Sequence, residues 1–121
     1  ITSKNEGGQQ YFYEGGIQHN SFLKFKNIDL TNISQISLSA NAKKAKGVIE
    51  VRIDSKNGSL LTSVPINPSG KWENWIETSG NVIPTKGLHN LYFIFKCFDE
   101  TAQGENGMMN LQSIYFIKKL Q

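Results

Sequence analysis

The sequence predicts an all-β fold, a single β-sandwich (jelly roll) of two antiparallel sheets. Three observations carry that expectation. The hydrophobic pattern has a period of two, turn residues separate strand-like runs at intervals of about ten residues, and helix signals are nearly absent.

The early candidates are Tyr11 to Glu14 and Ser21 to Phe25. In the first, Tyr11 and Tyr13 share a face. Next, Ile36, Leu38 and Ala40 alternate with Ser37 and Ser39. The clearest alternation is Val48-Ile49-Glu50-Val51-Arg52-Ile53-Asp54: Ile49, Val51 and Ile53 fall on one face, Glu50, Arg52 and Asp54 on the other. Asn57-Gly58 then predicts a hairpin leading into Ser59 to Ile66. After the turn residues Pro68-Ser69-Gly70, Trp75 to Thr78 is the next candidate. Lys86-Gly87 precedes Leu91-Tyr92-Phe93-Ile94-Phe95, apolar on both faces as a central strand would be. Ser113 to Ile117 closes the series. Ala42 to Gly47, with Lys43, Lys44 and Lys46, reads as a loop, as does the acidic stretch Asp99 to Gly107.

Composition narrows the class. The 121 residues fit one domain, 1–121, and 38% hydrophobic residues suffice for one core. No apolar run approaches the roughly 20 residues that cross a bilayer, so no membrane is expected as a partner. Cys97 is the sole cysteine, which excludes an internal disulfide and a cysteine-rich zinc site. The net charge of +3 comes from 13 basic and 10 acidic residues intermixed along the chain, a poor pattern for nucleic acid. Because the chain opens on Ile1, it reads as a module excised from a larger secreted protein.

No catalytic constellation is present. There is no nucleophile elbow, zincin motif or phosphate loop. Glu50 and Asp54 share the polar face of one strand but stand roughly 13 Å apart by strand rise, wide for a glycosidase pair. His89 precedes an apolar strand and reads as a structural hydrogen-bonder. His19 lies in the polar run Gln18-His19-Asn20-Ser21 and is free to meet a ligand. The expectation is a protein that is not an enzyme and requires no cofactor.

Five short signatures, in order, resemble family 6 carbohydrate-binding modules. They are Ser21-Phe22-Leu23-Lys24-Phe25-Lys26-Asn27-Ile28-Asp29-Leu30, Ile49-Glu50-Val51-Arg52-Ile53-Asp54-Ser55 with Gly58, Ser69-Gly70-Lys71-Trp72-Glu73-Asn74-Trp75, Gly87 through Phe95, and Asn110-Leu111-Gln112-Ser113-Ile114-Tyr115-Phe116. The resemblance implies a non-catalytic sandwich that binds a polysaccharide or oligosaccharide. It also implies a monomeric module tethered to a catalytic domain, extracellular or on the cell surface.

Sugars present an apolar C–H face and a rim of hydroxyls, so a site for them needs an aromatic platform beside a few polar groups. In the family this site lies in the loops at one end of the sandwich. The resemblance assigns the turn aromatic to Trp72, whose other reading is a core residue, with Trp75 expected in the core. The asparagine is Asn110, whose other reading is turn stabilisation. The family's second aromatic falls on Gly16 here, and Tyr13, Tyr11 or His19 is left to fill that place. A second site on the concave sheet face, used by some members, would involve Glu50 and Arg52, although the two also read as a solvated ion pair. Members commonly hold a structural calcium. Here Glu6 is the only nearby N-terminal acid and Gln112 stands at the last-strand acid position. The alternative reading of the chain is a structural or protein-interaction sandwich that has lost sugar binding.

Overall fold

The alternating pattern resolves into strands throughout the residues that the computed structural model describes, 3–5, 9–12, 20–41, 46–68, 76–97 and 110–119. In order these are β1 (Ser3–Asn5), β2 (Gln9–Phe12), β3 (Phe22–Asp29), β4 (Ile33–Asn41), β5 (Gly47–Ile53), β6 (Leu60–Ile66), β7 (Ile76–Asn81), β8 (Leu88–Cys97) and β9 (Asn110–Lys118). They form two antiparallel sheets, five strands in the order β1-β2-β9-β4-β7 and four in the order β3-β8-β5-β6. β1 was not expected, because three polar residues, Ser-Lys-Asn, carry no hydrophobic period.

The core lies between the sheets. Ile36, Leu38 and Ala40 of β4 face Ile49 and Val51 of β5 and Leu91, Phe93 and Phe95 of β8, all buried. Aromatic contacts cross the interior. Phe93 meets Phe25 edge-on at 5.4 Å within its own sheet and Phe116 at 6.4 Å in the opposite one, the geometry that aromatic quadrupoles favour.

Two bulges explain where strict alternation fails. Phe25 and Ile28 are both buried although three residues apart, because the register of β3 on β8 shifts between them and Asn27 takes φ 57°. In β9, Leu111 pairs with Ala40 and Ser113 with Ser39, so Gln112 is an extra residue and the phase flips. Leu111 and Ile114 can then both enter the core.

The sheets are stitched together along the β6–β7 edge. The Thr78 hydroxyl donates to the Pro65 carbonyl (3.1 Å), and the Ile83 amide donates to the Leu61 carbonyl (3.1 Å). Gly80 permits this approach: a Cβ there would stand 2.7 Å from the Ser63 carbonyl oxygen.

The β5–β6 hairpin exists as expected, but its connection runs from Asp54 to Ser59. Asp54, not Asn57, carries the positive φ, 68°. Gly58 is required for a different reason from the one its motif suggested, since a Cβ there would collide with the Ile53 carbonyl oxygen.

Candidate functional site

The strand registers bring one set of strand ends together. Asn41 at the end of β4 pairs with Asn110 at the start of β9, and Ala40 pairs with Ile76 at the start of β7. Gly47 at the start of β5 pairs with both Cys97 at the end of β8 and Ile66 at the end of β6. Phe12 closes β2 opposite Ser113, and Phe22 opens β3 opposite Ile94. A small pocket of about 150 Å³ opens there between the sheets, lined by Ala40, Pro65, Ile66, Ile76 and Thr78 among others. These strand ends flank the segments 13–19, 42–45, 69–75 and 98–109. Trp72, Tyr13 and His19 lie in those segments, outside the described residues, as do Tyr13's neighbour Glu14, Gly16, Trp75, Lys43, Lys44 and the acidic stretch 99–107. Asn110 is described through its backbone, as the first residue of β9.

The outer face of the four-stranded sheet is described in full side-chain detail at its centre. Glu50 and Arg52 project there, because Ile49 and Val51 take the core side of β5. Their charges meet at 3.3 Å, both side chains about a quarter exposed. The Arg52 guanidinium also donates to the Gly58 carbonyl at 2.9 Å. Arg52 thus draws the β5–β6 hairpin over this face and gives it a wall.

Two aromatic rings on the same face escaped the sequence reading. Phe22 opens β3 and is 42% exposed, and Tyr92 stands beside it on β8 with ring centroids 5.9 Å apart. Lys56, from the hairpin, places its ammonium 4.4 Å from the Phe22 ring centroid, and Lys24 places its own 5.4 Å from that of Tyr92. Ile94, buried yet outside the core cluster, lies between the rows of Phe22 and Glu50. The signal was present in the sequence. Phe22 and Lys24 alternate with the core-side Leu23 and Phe25, just as Tyr92 alternates with Leu91 and Phe93. An aromatic in an apolar run reads as core until the neighbouring strand shows which face is covered.

At the opposite end, His89 is the hydrogen-bonding residue its position predicted. Nδ1 lies 3.0 Å from the Asp54 carboxylate and Nε2 lies 2.9 Å from the Lys86 carbonyl. Both partners only accept, so the ring satisfies them fully as the imidazolium. The Asp54 hydrogen bond accordingly raises the His89 pKa, and the same bond lowers that of Asp54. Glu50 and Asp54 are therefore engaged separately, one with Arg52 and the other with His89, and do not act as a carboxylate pair.

The resemblance to calcium-holding modules bears on Glu6 and the Gln112 side chain, which lie outside the described residues. Among the described residues, no group of three or more His, Cys, Asp or Glu side chains is placed to hold a metal ion. No helix among them is long and apolar enough to cross a membrane.

Similarity to known proteins agrees with this architecture. The arabinoxylan arabinofuranohydrolase of Paenibacillus polymyxa is 32% identical over 75 residues, 62% of this chain and 11% of that protein. Its namesake from Bacillus subtilis is 28% identical over 104 residues, 85% of this chain and 19% of that protein. The chain thus spans less than a fifth of the length of these two curated relatives. A family 6 carbohydrate-binding module from Clostridium cellulolyticum, solved in complex with xylose, superposes with a TM-score of 0.71 at 23% identity, covering 98% of this chain and 87% of that one. A module from Cellvibrio mixtus lichenase 5A, solved with cellotriose, superposes with a TM-score of 0.66 at 17% identity over 98% and 88%. Both likenesses are of fold. Residues 2–118 match the family described as carbohydrate binding module (family 6). With nearly its whole length inside that match, the chain belongs to the family 6 carbohydrate-binding modules, a non-catalytic family that binds sugars.

Proposed function

We propose that this module anchors a larger secreted bacterial protein to a polysaccharide, and that its principal sugar site is formed at one end of the sandwich by Trp72, Asn110 and either Tyr13 or His19. The observation that carries this reading is the convergence of strand ends. The start of β9, the β6 and β7 ends that flank Trp72, and the β2 and β3 ends that flank Tyr13 and His19 meet at one pole of the fold. An indole there supplies the apolar platform for a sugar ring, and the Asn110 amide supplies a donor and an acceptor for adjacent hydroxyls. Attachment to an enzyme is supported by the small share of its relatives that the chain spans. The names of those relatives make arabinoxylan the first ligand to test. In this reading the module works as a monomer outside the cell.

A second surface, on the outer face of the four-stranded sheet, is favoured by a specific observation: Phe22 and Tyr92 stand side by side near Glu50. Phe22 is exposed, and Tyr92, half-buried beside it with the rings tilted by 39°, extends the apolar surface that a sugar C–H face can meet.

Affinity gel electrophoresis across neutral and acidic polysaccharides tests the proposal. Retardation in arabinoxylan is expected, and Trp72→Ala should weaken it by about tenfold or more, an energy of about 1.4 kcal/mol, within the range for losing one aromatic–ligand contact. If no glycan retards the wild-type module, the sugar-anchoring role is wrong, and a structural or protein-interaction sandwich takes its place.

A further inference from the structure

We infer that the outer face of the four-stranded sheet is a reader of acidic glycans, selective for uronic acid residues, with Lys24 and Lys56 as its anion-binding groups. This rests on the reading of that face as a second sugar surface and adds the class of sugar it takes.

The first reason is where the cations stand. The Lys56 ammonium lies 4.4 Å from the Phe22 centroid and that of Lys24 lies 5.4 Å from the Tyr92 centroid. Neither lysine pairs with a carboxylate among the described residues. Contacts of this kind at an exposed site are weak. A ligand can displace an ammonium from a ring face and still keep it as a neighbour.

The second reason is the balance of charge. Lys24 and Lys56 stand over the two rings, Arg52 and Lys96 project from the same face of β5 and β8, and Glu50 is the carboxylate beside them among the described residues. Glu50 is already engaged with Arg52 at 3.3 Å. Asp54, at the foot of the hairpin, turns away to His89. The Lys96 ammonium is held at the edge by Asn20 Oδ1 at 2.9 Å and pairs with no carboxylate among the described residues. Among the described residues, Lys24, Lys56 and Lys96 on this face have no carboxylate partner, and they favour an anionic ligand over a neutral one, which leaves that charge without an answer.

The third reason is reach. A uronic acid carries its carboxylate one bond from the ring carbon, in the plane of the sugar's edge. A sugar that displaces the ammonium and stacks by its C–H face on Phe22 or Tyr92 therefore brings its carboxylate to the rim of the same ring, within reach of the long lysine side chain it displaced. The hairpin held by Arg52 and Gly58 closes one side of the surface and keeps Lys56 over it.

The test compares the wild-type module with the Lys24→Gln/Lys56→Gln double variant. A Lys118→Gln/Lys119→Gln variant, altering two exposed residues at the end of β9 and just beyond it, controls for net charge. Polygalacturonate should bind the wild type, and the Lys24/Lys56 variant should bind it about tenfold more weakly, with less than about a twofold change in the Lys118/Lys119 control. The wild-type interaction should also weaken as salt rises from about 0.01 to about 1 M, where the screening length shrinks from about 30 to about 3 Å. Binding to neutral arabinoxylan should survive in the Lys24/Lys56 variant and weaken about tenfold or more in Trp72→Ala, while Trp72→Ala keeps the uronate interaction. Equal thermal midpoints for the lysine variants would exclude unfolding as the cause. Four results would overturn the inference: no binding to polygalacturonate while arabinoxylan still binds, uronate binding that ignores Lys24 and Lys56, equal or stronger binding to sulfated carrageenan, or tighter binding to a single-stranded oligonucleotide. Loss of every glycan interaction would instead strike at the sugar-anchoring role itself.

Discussion

The two outer faces of the sandwich are built by the same alternation and hold opposite chemistry. Among the described side chains of the five-stranded sheet, on β4, β7 and β9, polar groups answer one another. The Ser37 hydroxyl donates to Glu77 Oε1 at 3.1 Å, the Gln35 amide donates to Asn81 Oδ1 at 3.1 Å, and the Ser34 hydroxyl donates to the Ile117 carbonyl. Ser37 and Ser113 are buried in that face. On the four-stranded sheet, the Phe22 ring is exposed beside a half-buried Tyr92, two lysine ammoniums stand over the rings, and the ion pair of Glu50 with Arg52 serves to hold the hairpin wall. A face whose hydrogen bonds are closed among themselves has little left to offer a ligand. A face with an exposed ring and lysines that pair with no carboxylate among the described residues still has interactions to offer.

The largest expected effect lies at the seam that the two faces share. Gly80→Val forces a side chain into the Ser63 carbonyl and Thr62 hydroxyl, so the sheets must part. A loss of about 2 kcal/mol is expected, in the range for overpacking, read as a lower denaturant midpoint with an unchanged slope. A stable Gly80→Val module would show that the sheets are not in close contact there.

A paired substitution then contrasts the faces directly. Arg52→Ala removes a charged hydrogen bond to Gly58 and the partner of Glu50, and should cost about 1 kcal/mol while releasing the hairpin and changing glycan binding on that face. Ser37→Ala should cost about 0.5 kcal/mol and leave glycan binding untouched. Urea unfolding together with affinity gels measures both quantities. Altered glycan binding in Ser37→Ala would erase the distinction between the faces.

The smallest effect is the pH dependence of the His89–Asp54 clasp at the foot of the hairpin. The His89 pKa is raised in the folded state, so its contribution is complete below its ordinary value of about 6.5 and disappears as pH climbs through the raised one. The Asp54 pKa is lowered, so its contribution is present above the ordinary carboxylate value and disappears as pH falls through the lowered one. The clasp is at full strength between about pH 4 and about pH 6.5. The thermal midpoint of His89→Gln should fall furthest below that of wild type inside this window and converge with it at alkaline pH. A constant gap from pH 5 to pH 9 would show that the imidazole charge plays no part.

Much of the fold was legible because burial in a sandwich imposes a period of two. Ile49, Val51 and Ile53 alternating with Glu50 and Arg52 declared β5, its core side and its outer side without any structure. Gly58 declared the hairpin, although its real constraint is the nearby Ile53 carbonyl and not a left-handed backbone. The bulges at Asn27 and Gln112 were not legible, because an extra residue is defined against a partner strand far away in sequence. The end-loop site was legible only as a resemblance carried by Trp72 and Asn110. Nothing local says that the strand ends bearing 13–19, 69–75 and Asn110 gather at one pole. The aromatic pair was missed because Phe22 and Tyr92 are separated by most of the chain, and only the pairing of β3 with β8 makes them neighbours.

The sequence by itself thus determined the class of fold, the inward and outward sides of its clearest strands, and a family bond to sugars. These follow from side-chain polarity along a pleated backbone and from short ordered signatures, both local properties. Only the tertiary structure decided which outward residues stand together. Lys56 over Phe22 and Lys24 over Tyr92 are products of register and sheet order, which join residues that the chain keeps far apart, and Arg52 under Gly58 is the product of a curled hairpin.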